Sequence, residues 1–326
     1  MSRENLPWIE KYRPHMVEDI SMEPLLKRII ENILKTNEMP NIMLTGNPGV
    51  GKTTTILCIA NKLYGKYYKS AVLEVNASDD RGIKSVQNDL TDFCNLKLAY
   101  SKEDEKKYAK HKLIILDEAD NITEKAQNLI SVMMEKYYDK VRFAFTCNKS
   151  TDIIESIQSK CKILRYPRLK HEFVVDRLKY IVKKEKVNYE KTALEQIACL
   201  SIGDMRNAIN LLQLVYNKHD DVSLKNVNSV CDLPQPDLLN EILKLTIEKK
   251  FRDAFTKIIN IKNNGFSGLD ILKSILMILK MPITKNITEE QRLKIFEITS
   301  QHYFDISKSI DSNMHLGAYI SDLCTK

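Results

Sequence analysis

The stretch Gly46-Asn47-Pro48-Gly49-Val50-Gly51-Lys52-Thr53 fits the spacing G-x-x-x-x-G-K-[ST]. Glycines at those positions leave backbone N–H groups free to close around phosphates. A helix opening at Thr53-Thr54 would add the partial positive charge of its N-terminus. Lys52 can reach β- and γ-phosphates, and the Thr53 hydroxyl is a hard oxygen ligand for Mg²⁺. Downstream, Leu113-Ile114-Ile115-Leu116-Asp117-Glu118 is an apolar run that ends in two carboxylates. Asp117 suits the Mg²⁺ shell, and Glu118 suits orienting and deprotonating an attacking water. A chance glycine-rich turn and a dipole-stabilised acidic pair are the bland alternatives. Neither explains why the loop sits between a strand pattern and a helix pattern, with a carboxylate-tipped strand further on.

Such chemistry needs a parallel sheet whose strand ends carry the polar groups. β-rich runs occur at Ile42–Thr45, Ala71–Val75, Leu113–Leu116, Arg142–Cys147 and Ile163–Tyr166. Several are continuously apolar, as in strands covered on both faces. Helical periodicity fills the gaps at Thr53–Tyr64, Ile83–Leu98 and Glu124–Tyr137. Strands alternating with helices predict an α/β P-loop NTPase domain with a five-stranded parallel sheet over residues 1–166. The charged stretch Tyr100–His111 reads as a solvated loop. After Pro167 the strand patterns stop. Short amphipathic helices at Lys170–Lys184, Lys191–Cys199, Asp204–Tyr216 and Ser223–Val230 predict a small helical lid over 167–231. Asp232-Leu233-Pro234-Gln235-Pro236 reads as a linker. Apolar residues three and four apart (Leu239, Ile242, Leu243; Ile271, Ile275, Leu279; Ile295, Ile298, His302) predict an all-α domain over 232–326.

Composition narrows the classes. The chain of 326 residues is 43% hydrophobic and 29% charged, enough apolar residue for sizeable cores. Nine glycines and nine prolines exclude collagen-like and low-complexity classes. No apolar run approaches the ~20 residues of a membrane span, and Met1–Asn5 lacks a signal-peptide core, so a soluble, non-secreted protein is expected. A net charge of +7 is compatible with nucleic acid but argues for it only if the charges cluster. Seven widely spaced cysteines without Cys-x-x-Cys point to buried apolar thiols in a reducing compartment.

Residues 117–120 read Asp-Glu-Ala-Asp, a box also found in RNA helicases, but the helical second half is too short for a second nucleotide-binding domain. A larger set of motifs points elsewhere. Leu6-Pro7-Trp8-Ile9-Glu10-Lys11-Tyr12-Arg13-Pro14, the phosphate loop, Glu74–Ile83, the Asp-Glu-Ala-Asp box, Phe143–Asn148, Ser159-Lys160-Cys161 and Gly203-Asp204-Met205-Arg206-Asn207 occur in that order. Together they resemble the AAA+ clamp loaders, specifically the small subunits of eukaryotic replication factor C. The resemblance covers about Leu6 to Asn210; the last domain matches it only in helical pattern.

That resemblance implies an ATPase subunit of a nuclear hetero-pentamer, with residues 232–326 as an oligomerisation collar. With its sister subunits it would load the sliding clamp (proliferating cell nuclear antigen) onto primer–template DNA for replication and repair. ATP and Mg²⁺ would be its cofactors, and no membrane is involved. Ile9, Tyr12, Arg13 and Ser21 would surround the adenine. Asn148 would be the sensor that helps position the attacking water. Arg206 would reach from the lid to the γ-phosphate. Lys160 would act in trans on a neighbour's site, but the family has Arg there, and Lys lacks the planar fork. Arg81, Lys84 and Lys149 would contact DNA phosphates near a helix start, without reading sequence. Asp152 stands where the family often has Lys. Gln87, Leu90 and Phe93 resemble a degenerate clamp-binding box, although Val86, Leu90 and Phe93 fit an amphipathic core face equally well. The rival readings are an origin-initiator or checkpoint AAA+ scaffold and a subunit that binds ATP without turnover. The first lacks a winged-helix pattern after the lid; the second is opposed by Lys52, Thr53, Asp117 and Glu118.

Overall fold

The computed structural model describes residues 6–20, 22–77, 90–96, 98, 104, 107–230, 234, 236–279, 288–309 and 312–325. The chain divides into two units, Met1–Val227 and Asn228–Lys326.

The first unit is built on β1 (Ile42–Gly46), β2 (Val72–Asn76), β3 (Lys112–Asp117), β4 (Val141–Cys147) and β5 (Lys162–Tyr166). All pair in parallel, in the order β2-β3-β4-β1-β5. Each strand lies within a residue or so of its sequence expectation. The pleat sends alternate side chains to opposite faces. Ile42, Leu44, Leu113 and Ile115 enter one core with Ile56, Ile59 and Leu63 of the helix Lys52–Tyr64. Met43, Ile114, Leu116, Phe143 and Phe145 enter a second with Ile130, Met133 and Met134 of the helix Glu124–Lys136. Both faces of the inner strands are dry, so β1, β3 and β4 have apolar centres, whereas the edge strands β2 and β5 carry the exposed Glu74 and Arg165.

Topology then concentrates chemistry. In a parallel sheet all C-terminal strand ends lie on one edge, and β1 changes the winding direction between β4 and β5. Gly46, Asp117 and Cys147 end β1, β3 and β4 at that edge.

The helices Trp8–Lys11, Pro24–Thr36, Tyr68–Ala71 and Glu155–Gln158 lie outside the stretches whose periodicity predicts a helix. Pro24 opens the second at a first-turn position, and Asn37 ends it in the left-handed region. The lid follows as His171–Glu185, Lys191–Ser201, Met205–His219 and Leu224–Val230. The expectation that strands stop at Pro167 needs one correction: Asn188–Tyr189 pairs in parallel with Asp221–Val222. Two residues per strand leave no periodicity to read.

The second unit is all helical where described: Pro236–Ile247, Phe251–Asn263, Gly268–Leu279, Glu289–Lys308 and Asn313–Thr325. Leu239, Ile242, Leu243, Ile271, Ile275 and Leu279 form its core with Ile295, Ile298, Leu316 and Tyr319, as the spacing predicts. The buried Tyr319 hydroxyl is satisfied by Thr299 at 3.0 Å. Thr288 and Gln291 close a capping box on the helix Glu289–Lys308. His302 departs from the apolar pattern by facing the Asp322 carboxylate at 3.3 Å.

No helix among the described residues is long and apolar enough to cross a membrane. Cys58, Cys94, Cys147 and Cys324 are buried free thiols, while Cys161 and Cys199 are half-buried.

Candidate nucleotide site

The phosphate loop leaves β1 at Gly46, whose φ of +152° brings its backbone against Tyr166; a Cβ there would lie 2.2 Å from the Tyr166 carbonyl oxygen. Gly49 has φ +70°, and a Cβ would fall 1.7 Å from Asp204 Oδ1 of the lid. The glycine spacing thus serves both left-handed backbone and close approach by two neighbours.

Lys52 begins the helix Lys52–Tyr64 and is 9% exposed. Its ammonium donates to the Gly46 carbonyl at 2.6 Å, the Asn47 carbonyl at 2.8 Å and Asn148 Oδ1 at 3.1 Å. All three acceptors are neutral. Burial lowers the Lys52 pKa; the fields of Cys147, Asp120 and Asp117 oppose this, and Arg206 adds to it. The result is a desolvated cation without a salt-bridge partner among the described residues, facing a cavity. That is the electrostatic condition for holding an anion.

The strand ends supply the other groups. Thr53 Oγ1 donates to Asp117 Oδ1 at 2.9 Å, and the Thr146 hydroxyl donates to the same oxygen. The Glu118 N–H donates to Thr146 Oγ1 at 3.1 Å. Glu118 has φ +54°, a left-handed conformation that costs a non-glycine residue about 1 kcal/mol or more. That backbone turn presents Glu118 at the rim of the cavity instead of continuing the strand, and Asn121 Nδ2 reaches its Oε2 at 3.4 Å. Asn148 follows β4, and its N–H donates to Asp120 Oδ2 at 3.0 Å.

The lid closes the other side. Asp204 caps the helix Met205–His219 by accepting from the Asn207 N–H at 3.0 Å. The Met205 N–H donates to the Gly49 carbonyl at 3.1 Å, tying the helix start to the phosphate loop. Arg206, one residue on, is exposed and borders the same cavity.

The N-terminal segment forms the remaining wall. Ile9, Tyr12 and Arg13 line the cavity beside Pro48, Gly49, Val50, Gly51 and Thr54. The Trp8 ring stacks on Tyr216 at 5.2 Å, and the Trp8 backbone N–H donates to Gln213 Oε1 at 2.9 Å. The Tyr12 hydroxyl donates to Glu185 at 2.6 Å, and Lys11 pairs with the same carboxylate at 2.6 Å. Arg177 donates to the Tyr12 carbonyl at 2.6 Å. Arg13 Nε reaches Thr54 Oγ1 at 3.3 Å. The segment is therefore fastened to both the lid and the phosphate-loop helix.

The structure brings Lys52, Thr53, Thr54, Asp117, Glu118, Asn148, Arg206, Ile9, Tyr12 and Arg13 to one cavity. Ser21, Arg81, Lys84 and Gln87 lie outside the described residues. Lys149 is exposed, just ahead of the short turn Ser150–Asp152. Leu90 corrects the clamp-box expectation: it is 1% exposed and packs in the second core, with Phe93 against that core. The apolar spacing is a core face, and Leu90 offers no surface to a partner. Phe93 is further occupied by Lys112, whose ammonium sits 4.4 Å from the ring centroid and donates to the Phe93 carbonyl.

Lys160 is elsewhere. Its ammonium pairs with Glu135 at 2.7 Å and donates to Ser131 Oγ at 2.7 Å and the Ser131 carbonyl at 3.1 Å. All three partners belong to the helix Glu124–Lys136 of its own chain. Sequence reasoning missed Thr146, Asp120, Arg177 and Glu185. The first two lie inside stretches already marked as strand ends; the last two carry no spacing signal and are found only by tertiary contact.

Comparison with known proteins agrees with this geometry. Residues 42–169 match the ATPase family associated with various cellular activities (AAA), 176–216 match an RCF1/5-like AAA+ ATPase lid domain, and 234–322 match the replication factor C C-terminal domain. The chain is 37% identical to replication factor C subunit 4 of Saccharomyces cerevisiae, covering 98% of this chain and 95% of that one. It is 37% identical to a probable replication factor C subunit 2 of Dictyostelium discoideum (98% and 92% covered) and 35% identical to a putative replication factor C small subunit of Acanthamoeba polyphaga mimivirus (98% and 97%). A solved structure of Thermotoga maritima RuvB, a Holliday junction branch migration motor, superposes with TM-score 0.55 at 19% identity over 72% of this chain and 79% of that one, a likeness of fold. The chain is an AAA+ ATPase and belongs to the replication factor C small-subunit family.

Proposed function

We propose that this chain is an ATP-hydrolysing subunit of a nuclear, hetero-pentameric clamp loader. Bound ATP fastens adjacent subunits into a spiral that grips an open sliding clamp, and primer–template DNA entering the spiral triggers hydrolysis and release. The observation that carries this reading is one cavity bounded by a desolvated Lys52, the Asp117–Glu118 strand end, Asn148 and a lid-borne Arg206.

Each residue has a role its position supports. The phosphate-loop amides and Lys52 hold the phosphates. Asn148 and Glu118 orient the attacking water, and Glu118 accepts its proton. Arg206 ties the γ-phosphate to the lid, so nucleotide state sets lid position. Ile9, Tyr12 and Arg13 shape the base pocket, with the Tyr12 hydroxyl turned to Glu185 rather than to the base. Mg²⁺ fits the hydroxyl–carboxylate pair of Thr53 and Asp117, both hard oxygen donors on the cavity wall. When bound, Mg²⁺ neutralises charge developing on the phosphates.

Lys149, with Arg81 and Lys84, contacts the DNA backbone, which makes binding salt-dependent and sequence-independent. Lys160 contributes little to a neighbour's site, since its charge is already compensated at home.

The test is co-purification from cells combined with Glu118→Gln. Four related subunits and a ring clamp are expected with the tagged chain, and Glu118→Gln in that complex retains ATP with hydrolysis at this site lost. Purification without sister subunits, or unaltered turnover in Glu118→Gln, overturns the reading.

A further inference from the structure

Asp120 lies in the 3₁₀ turn Ala119–Asn121 that follows the left-handed Glu118. One of its carboxylate oxygens, Oδ2, accepts the Asn148 N–H at 3.0 Å. The other, Oδ1, is buried and has no hydrogen-bond partner among the described residues. A carboxylate kept for structure alone satisfies both oxygens, because an unpaired buried acceptor costs about 1–3 kcal/mol. Here the side chain lines the nucleotide cavity, and its field is felt by Lys52.

The link is specific in what it joins. Asn148 holds Lys52 through its side chain while its backbone is held by Asp120. A few residues away, Thr146 bridges Asp117 and the Glu118 N–H. The ends of β3 and β4 are therefore cross-braced twice outside the sheet ladder. One brace fixes the carboxylates that face the substrate, and the other fixes the amide that faces it.

Resting on the reading that ATP is hydrolysed at this site, we propose that Asp120 is a positioning residue for hydrolysis: it fixes the Asn148 main chain so that the Asn148 amide meets the attacking water in register with Glu118. Loss of the brace misplaces Asn148 without removing any group that binds the phosphates. A misplacement of about 1 Å at a reacting centre can cost on the order of 10²-fold in rate. Binding is spared because the loop amides, Lys52 and Arg206 remain.

The experiment compares Asp120→Ala, Asp120→Asn and Glu118→Gln in the assembled complex. It measures kcat for ATP, nucleotide Kd and the melting temperature of each purified complex. Asp120→Ala is expected to lower kcat at this site about 10-fold or more while Kd stays within about 3-fold. Asp120→Asn is expected to recover most of the rate, since an amide oxygen can still accept the Asn148 N–H. Three results overturn the proposal: kcat within about 3-fold of wild type for Asp120→Ala, a Kd that weakens in step with kcat, or an Asn variant as slow as the Ala variant. An Asp120→Ala complex with a much lower melting temperature and an unrescued Asn variant likewise assigns Asp120 to folding. If Glu118→Gln itself leaves turnover unchanged, the underlying site fails, which separates that failure from failure of the brace.

Discussion

Lys52 and Lys160 are the same residue type drawn partly out of water in the same unit, yet they are treated in opposite ways. Lys160 is given a carboxylate, a hydroxyl and a carbonyl by the helix Glu124–Lys136. Lys52 is given two carbonyls and an amide oxygen and no carboxylate. A cation enclosed by neutral dipoles remains electrostatically unfinished, and an incoming phosphate completes it. A cation already neutralised by its own chain has little left to offer a neighbour. The difference separates a binding lysine from a structural one more sharply than exposure does.

The largest expected effect lies at the unfinished cation. Lys52→Ala should weaken ATP binding by 100-fold or more, on the order of 3 kcal/mol for a charge-assisted contact in a desolvated site, with little change in melting temperature. Retained affinity by titration calorimetry would break the comparison.

His111 supplies an intermediate case. It is buried, its Nε2 has no hydrogen-bond partner among the described residues, and burial together with the Arg142 charge drops its pKa to about 4. An unfolded histidine near 6.5 then binds more protons than the folded one between those values, so stability falls as pH drops from about 6.5 toward 4. The slope is at most about 1.4 kcal/mol per pH unit. Unfolding free energies from urea titrations at pH 7 and pH 5 should separate by roughly 2 kcal/mol more for wild type than for His111→Leu. Equal separations would mean that the ring finds a proton-stabilising partner.

The smallest effect belongs to the compensated cation. Lys160→Ala should change ATPase in the complex by less than about 3-fold and stability by no more than about 1 kcal/mol, the range of a half-exposed ion pair. A loss of 10³-fold or more, the scale of an arginine finger, would show that Lys160 abandons Glu135 on assembly.

What the sequence reveals and what it withholds divide along physical lines. The strands of the sheet, the phosphate loop and the Asp117–Glu118 pair are legible because burial on both faces and phosphate geometry each demand a residue pattern in consecutive positions. The apolar spacing of the second unit is legible for the same reason. Leu90 shows the limit, because a core face and a docking face share one helical period. Asp120, Arg177 and Glu185 are invisible because their meaning lies in partners distant in sequence: Glu185 meets Tyr12 from the far side of the lid. The helix Trp8–Lys11 is too short for any period to register.

The strap from Trp8 to Pro14 has a mechanical consequence. Its Trp8 end is held to the lid by ring stacking on Tyr216 and a main-chain hydrogen bond to Gln213, while Arg13 is moored to Thr54. Because Ile9, Tyr12 and Arg13 of this segment line the nucleotide cavity, an outward movement of the helical cap would drag one wall of that cavity with it.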